Sequence, residues 1–330
     1  MLIVSLRCRI ATFNLENFGA LAREPEFFER RLKRFRDILQ RLDADILCLQ
    51  EVNAERAEAA LPRSYSSLND LLHGTPYAAF DRVTSVRPGS KELANVHNLV
   101  ILSRWQVETS RQVFHELVPP LEWAPPPVPD IQQSRPIVVR WERPILHALI
   151  RCSAGRMLDV LNVHLRAPRA AFIPGAKTAS GWVSSASWAE GLFLAALKRD
   201  GQALEARLFI ETLFEGRPDA SILVCGDFNA EYHDMAMRII QVARNDVEEA
   251  AIAERELVAI EARLPAIKRY SVIHEDRRLL PDHILTSRGL AKYCAHVLID
   301  TAGLDDEAHP AEPIVGSLHA PLLAEFLLPE

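Results

Sequence analysis

The feature that most constrains this chain is a series of strand-length apolar runs spread over its whole length and separated by helical stripes. The runs are Arg9–Phe13, Asp45–Leu49, Leu99–Leu102, Leu158–Val163, Ser221–Cys225, His283–Thr286 and Pro321–Leu327. Most are rich in Val, Ile and Leu, as buried strands are. Between them, Glu26–Leu42 repeats Phe27, Phe28, Leu32, Phe35, Ile38 and Leu39 at helical spacing. Ser187–Glu215 and Met235–Leu264 read the same way, with charges on the other face. Strands and helices that interleave from end to end predict an α/β fold.

At 330 residues and 48% apolar composition the chain can bury a large core. Packed double-sheet folds of this size form one domain, which is the expectation for residues 1–330. The proline-dense stretch 117–136 can be neither a regular helix nor a central strand. It reads as a surface excursion, because strand patterns resume at Ile137 and neither half looks complete alone. The five cysteines are odd in number, form no CxxC pair, and at least four lie inside apolar runs. That excludes a disulfide framework and a zinc site, and a reducing cytoplasm is the expected location. The N-terminus runs straight into a strand pattern with no signal-peptide features. No apolar stretch approaches the ~20 residues of a membrane span. A net charge of −6 excludes a generally basic nucleic-acid coat protein, although local potential at a cleft can still attract a polyanion.

The chemistry lies at the ends of the runs. Asn14 and Glu51 follow the first two, Asn162 and His164 end the fourth, and Asp227 and Asn229 follow the fifth. Asp282 and His319 instead precede the last two. Strands that run in both directions can bring all of these to one edge. Oxygen donors suit magnesium or manganese, and imidazoles and amides suit phosphate oxygens. The set fits metal-assisted phosphoester hydrolysis.

At these residues the chain resembles the endonuclease/exonuclease/phosphatase superfamily. The matching phrases are Thr12-Phe13-Asn14, Leu49-Gln50-Glu51-Val52, Leu102-Ser103-Arg104, Asn162-Val163-His164-Leu165, Gly226-Asp227-Phe228-Asn229, Asp282-His283-Ile284-Leu285 and Ser317-Leu318-His319-Ala320-Pro321, in the family's order. The resemblance implies a four-layer α/β/β/α sandwich with two packed mixed sheets. It implies a phosphodiesterase dependent on Mg2+ or Mn2+, with nucleic acid as partner, DNA ahead of RNA. Glu51 would be the principal metal ligand, helped by Asn14. Asp227 would activate water, Asn229 would hold the scissile phosphate, and His319, oriented by Asp282, would contact a phosphate oxygen. His164 would contact the phosphate from the other side. The rival activity is a phosphatase on phospholipid head groups or small phosphate esters.

One position departs from the pattern: Leu318 stands where the family has aspartate. The expectation is weakened metal affinity, with an acid from Asp300–Glu307 as a second source of charge and an inactive phosphate-binding relative as a third reading. Blander readings stand beside the others. Asn14 could start a turn, Asn162 could support the site or cap its strand, and His97 and Asn98 fit turns at least as well as catalysis. Asp246–Glu261 reads as the solvated face of a helix, and His283 should point away from Asp282. Two basic segments, 166–177 and 263–278, adjoin motif residues and offer Arg166, Arg277 and Arg278 as phosphate contacts. Trp182 and Trp188 fit packing better than base stacking.

Overall fold

The computed structural model describes residues 5–19, 24–58, 60–124, 136–152, 155–179, 181–310 and 314–329. Twelve strands carry the fold: β1 Ser5–Phe18, β2 Ile46–Val52, β3 Asp81–Thr84, β4 Asn98–Ser103, β5 Val107–Val113, β6 Ile145–Arg151, β7 Met157–His164, β8 Ser221–Asp227, β9 Leu257–Ala259, β10 Asp282–Ser287, β11 Cys294–Ile299 and β12 Leu322–Pro329. They form two six-stranded sheets, ordered β11–β12–β1–β2–β4–β3 and β9–β10–β8–β7–β6–β5. Each sheet is antiparallel except for one central parallel pair, β1/β2 in the first and β7/β8 in the second. Ile10, Ile46, Cys48, Ala148, Val160, Leu223 and Cys225 fill the space between the sheets.

The outer faces are covered by helices. In α1 (Pro25–Leu42), Pro25 opens the first turn, Glu26 and Arg41 complement the helix dipole, and Asp43 ends it in a left-handed conformation. Its buried stripe Leu32, Phe35, Leu39 and Leu42 packs, together with α2 (Ser66–Leu72), on the first sheet. On the second sheet lies α3 (Ser185–Gly216), where Ser184 Oγ caps the start by accepting the Ser187 N–H at 3.0 Å. Ala203, Ala206, Phe209, Ile210 and Phe214 turn inward from α3, alongside Met237 of α4 (Met235–Gln241). The order is therefore helix, sheet, sheet, helix, as the sequence resemblance implied.

One helix expected from the sequence breaks. The stripe Met235–Leu264 is not one helix: α4 stops at Gln241, where Val242 turns left-handed at φ 48°, and only short helical turns follow at Ala250–Ala253 and Ile260–Arg263. Residues 257–259 then become the edge strand β9, since Leu257 and Ala259 gain pairing partners on β10. Glu261 is accordingly no solvated helix residue. It is 1% exposed and takes a 2.6 Å hydrogen bond from His283 Nδ1, while His283 Nε2 bonds Ala230 O. His283 thus points away from Asp282, as alternation along a strand requires.

Of the proline-rich stretch, residues 125–135 lie outside the described residues. Leu121–Trp123 and Ile137–Val139 on either side pair antiparallel. The buried Glu205 of α3 ties this region down by accepting the N–H groups of His115, Glu116 and Leu117 at 2.8–3.1 Å. All five cysteines are buried and free, and the Cys48 thiol meets that of Cys225 between the sheets. Among the described residues, no helix is long and apolar enough to cross a membrane.

Candidate active site

Strand direction explains why the run ends converge. In the second sheet, Asp227 is in register with His164 of β7 on one side and Asp282 of β10 on the other. Because β7 and β8 are parallel and β10 antiparallel, two C-terminal residues and one N-terminal residue form a single row. Gly226 permits the close approach of β8: it holds φ +146°, and a Cβ there would lie 1.9 Å from Val163 O. In the first sheet, Asn14 is in register with Gln50, and both β1/β2 and β2/β4 shift register just beyond, between Asn14 and Phe18 and between Leu49 and Val52. These bulges re-aim Glu51 toward the second sheet.

The result is a cleft of about 410 Å³ across one edge of the sandwich. Glu16, Asn17, Glu51, His97 and Asn229 line it, and all five hold positive φ between 49° and 59°. Left-handed backbone costs a non-glycine residue ~1 kcal/mol or more, and such strain gathers where a site dictates geometry.

Asp227 lies at the floor, 2% exposed. Its Oδ1 accepts the Asn229 N–H at 2.9 Å, and its Oδ2 accepts Asn14 Nδ2 at 3.0 Å and lies 3.3 Å from His164 Nε2. Burial pushes its pKa up to about 7, with Asp282 and Glu51 adding repulsion and His319 opposing. A carboxyl poised there is suited to accept a proton near neutrality. His164 is 2% exposed, and burial, then Arg143, His97 and His319, hold its pKa well below the usual imidazole range.

His319 is set against Asp282. Asp282 Oδ2 accepts Ser271 Oγ at 2.6 Å and His319 Nδ1 at 2.8 Å. Burial disfavours the imidazolium, but the Asp282 charge and hydrogen bond outweigh it and raise the pKa to about 10. Asp227, Asp282 and His319 present atoms within 4.8 Å of one another. Within that cluster His319 Nδ1 is committed as a donor to Asp282, which leaves Nε2 as the ring atom open to a ligand. A ring held cationic in this way is suited to an anion.

Further oxygen donors gather at Glu51. Its side chain is 14% exposed, its Oε2 accepts the Asn17 N–H at 2.9 Å, and Glu16, Asp227 and Glu307 line the same cleft. Burial raises the Glu16 pKa, and Glu51 and Glu307 raise it further. Hard oxygen donors crowded until they repel one another fit a divalent cation such as Mg2+ or Mn2+. Asn14 does not offer its oxygen: Oδ1 accepts the Glu16 N–H at 3.0 Å, and the amide nitrogen faces Asp227 and Glu51. Flipping the amide would set a donor against that N–H and an acceptor against two carboxylates. Asn14 therefore links the carboxylates and is not placed as a metal ligand.

Three further expectations are corrected. Asn162 is wholly buried and cannot touch substrate. Its oxygen accepts Gln50 Nε2 at 2.7 Å and its amide donates to Leu49 O and Val100 O, so it joins the sheets. Arg278 turns away from the cleft, stacking 4.7 Å over Tyr270 and donating to Ile267 O. Arg277 is exposed and is not among the cleft-lining side chains. Arg166 does line the cleft, with Arg169 and with Arg143, which the sequence reading missed. Asn229 donates its amide to Leu165 O at 3.0 Å and steers Asp227 through its backbone. His97, for which a turn and a catalytic role were both open, holds a turn conformation at φ +59° and also lines the cleft. Leu318 is 8% exposed, between Ser317, which bonds Asn14 O, and His319. Trp182 packs on Gly191 and under Lys177, and Trp188 is exposed on α3.

Solved structures share this architecture. A Bacteroides thetaiotaomicron mannosyl-6-phosphatase aligns over 97% of this chain and 100% of its own, at 14% identity and a TM-score of 0.58. Truncated Caenorhabditis elegans TDP2 covers 98% of each chain at 13% identity and 0.54. An AP endonuclease from Archaeoglobus fulgidus covers 97% and 99% at 18% identity and 0.52. At these identities the likeness is one of fold. No curated protein matches in sequence. The Endonuclease/Exonuclease/phosphatase family profile, however, matches residues 11–314, and the chain belongs to that family of phosphoesterases.

Proposed function

We propose that the protein is a phosphodiesterase that hydrolyses nucleic acid, DNA ahead of RNA, with magnesium or manganese. The observation that carries this reading is a cationic His319 and a buried Asp227 of near-neutral pKa facing one cleft, with Arg143, Arg166 and Arg169 lining it too. A divalent ion held by Glu51 would supply Lewis-acid stabilisation of the phosphate oxygens. Asp227 takes the proton of the attacking water, held in place by Asn14 and the Asn229 N–H. His319 Nε2 donates to a phosphate oxygen while Asp282 keeps the ring charged. The arginines hold flanking phosphates. The five free thiols suit a reducing cytoplasm.

The charge that Leu318 does not provide comes, in this reading, from Glu16 and Glu307. Glu307 is fixed in the cleft by its backbone N–H on Ile273 O and a 2.7 Å contact with His274 Nδ1.

A second reading is hydrolysis of small phosphate esters. It is favoured by one feature, the acids Glu16, Glu231, Asp234 and Glu307 in the same cleft, which repel a long polyanion. Incubation with supercoiled plasmid, single-stranded DNA, RNA and a small phosphomonoester, with each metal and with chelator, separates the two. Metal-dependent nicking that weakens with salt is expected. Activity confined to the monoester would transfer the assignment to the second reading.

A further inference from the structure

A run of hydrogen bonds that starts outside the catalytic row ends on Glu51. Arg143 Nη2 lies 3.0 Å from His97 Nδ1. His97 Nε2 lies 2.8 Å from Asn17 Oδ1, and the Asn17 backbone N–H lies 2.9 Å from Glu51 Oε2. A guanidinium carries donors only, so His97 Nδ1 must accept. The ring's single proton then sits on Nε2 and donates to Asn17 Oδ1, which fixes the amide orientation as well. The other tautomer would oppose two donors at Arg143 and two acceptors at Asn17.

Both ends are anchored. Arg143 Nη1 donates to Leu165 O at 3.2 Å, and the Arg143 carbonyl accepts Gln202 Nε2 from α3 at 3.2 Å. The His97 N–H donates to Asn53 Oδ1 at 3.0 Å, two residues beyond Glu51. His97, Asn17 and Glu51 all hold left-handed backbone, with φ of 59°, 52° and 57°. Three successive links kept in that region are being held by one another. Burial, then Arg143, also keeps the His97 ring neutral, which the arrangement requires.

We infer that His97 and Arg143 are positioning residues: they lock the loop of Asn17 and thereby the orientation of Glu51, and so set affinity for the cation. Losing a residue that orients a metal ligand in this way typically changes metal affinity by about 10- to 100-fold. The inference rests on Glu51 being the cation ligand. It differs from a simple bracing role, which would show only in folding stability.

The test is Mn2+ binding to the full chain, followed by electron paramagnetic resonance and calorimetry, together with the imidazole 15N spectrum of the chelator-treated protein. Glu51→Gln should lose the site. His97→Leu should weaken Mn2+ by 10- to 100-fold while remaining folded. His97→Gln, which keeps one acceptor and one donor, should recover most of the affinity. Arg143→Lys, which keeps a donor, should lie between wild type and His97→Leu. The spectrum should show His97 with its proton on Nε2. If Glu51→Gln binds Mn2+ like wild type, the metal reading of Glu51 fails and the inference with it. If Glu51→Gln loses the site but His97→Leu does not weaken it, or Leu and Gln at 97 are equivalent, or the proton sits on Nδ1, only the positioning role is overturned.

Discussion

Asp282→Asn is the sharpest perturbation of the proposed chemistry, because it removes a charge and leaves the shape. The carboxylate oxygen that accepts both Ser271 Oγ and His319 Nδ1 can be replaced by an amide oxygen that accepts the same two bonds. What disappears is the anion that raises the His319 pKa to about 10 against the opposing effect of burial. Without it the ring falls to its ordinary value of about 6.5 or below. At pH 8 the charged fraction drops from nearly all to about 3%, so kcat/KM should fall by roughly 30-fold. At pH 6 about three quarters of an ordinary histidine is still charged, and the loss should be less than twofold. The alkaline limb of the pH profile therefore moves from near 10 toward neutrality. The acid limb is not the readout, because losing the Asp282 charge lowers the Asp227 pKa while losing the His319 charge raises it. The assay is kcat/KM on a DNA substrate from pH 5 to 10.5 at saturating magnesium, with thermal melts to establish folding. An alkaline limb that stays near 10 in the variant would refute the claim that Asp282 charges His319.

Asp227→Asn should abolish most turnover, by two orders of magnitude or more, as loss of a positioned base does. It should also stabilise the metal-free protein. The folded Asp227 pKa of about 7 is raised, so its contribution is fully present below about 3.8 and is lost as pH rises through 7. The variant should therefore melt a few degrees higher than wild type at pH 8 and equally at pH 4, and equal melting at both would contradict the burial effect. Asn162→Ala should cost ~2–4 kcal/mol in urea unfolding by stranding Gln50 and two carbonyls, without raising KM; a KM effect with no stability loss would return Asn162 to the substrate site. Glu307→Gln should move the magnesium midpoint several-fold higher, and Leu318→Asp added to it should move it back. No shift in either variant would remove both positions from the cation's surroundings.

The sequence by itself determined the elements and the row of reactive residues. Strand-length apolar runs with polar ends at Asn14, Glu51, His164, Asp227 and Asp282 are local patterns, written in period and punctuation. Their convergence followed from the resemblance alone, because period says nothing of strand direction. Where helical spacing misled, at 257–261, tertiary pairing of β9 with β10 and a buried ion pair between Glu261 and His283 outweighed it. Only the tertiary structure decided what each polar group does. Asn162 and Glu51 both close or follow apolar runs, yet one is sealed between sheets and the other is turned into the cleft by a bulge. Arg166 and Arg278 are both cationic loop residues, yet one faces the cleft and the other stacks on Tyr270. Arg143, Asn17 and Glu307 carry no signal in their own neighbourhoods, since their roles depend on partners tens to hundreds of residues away. Spacing along the chain encodes which face a side chain takes; the direction of its hydrogen bonds is fixed only when distant segments meet.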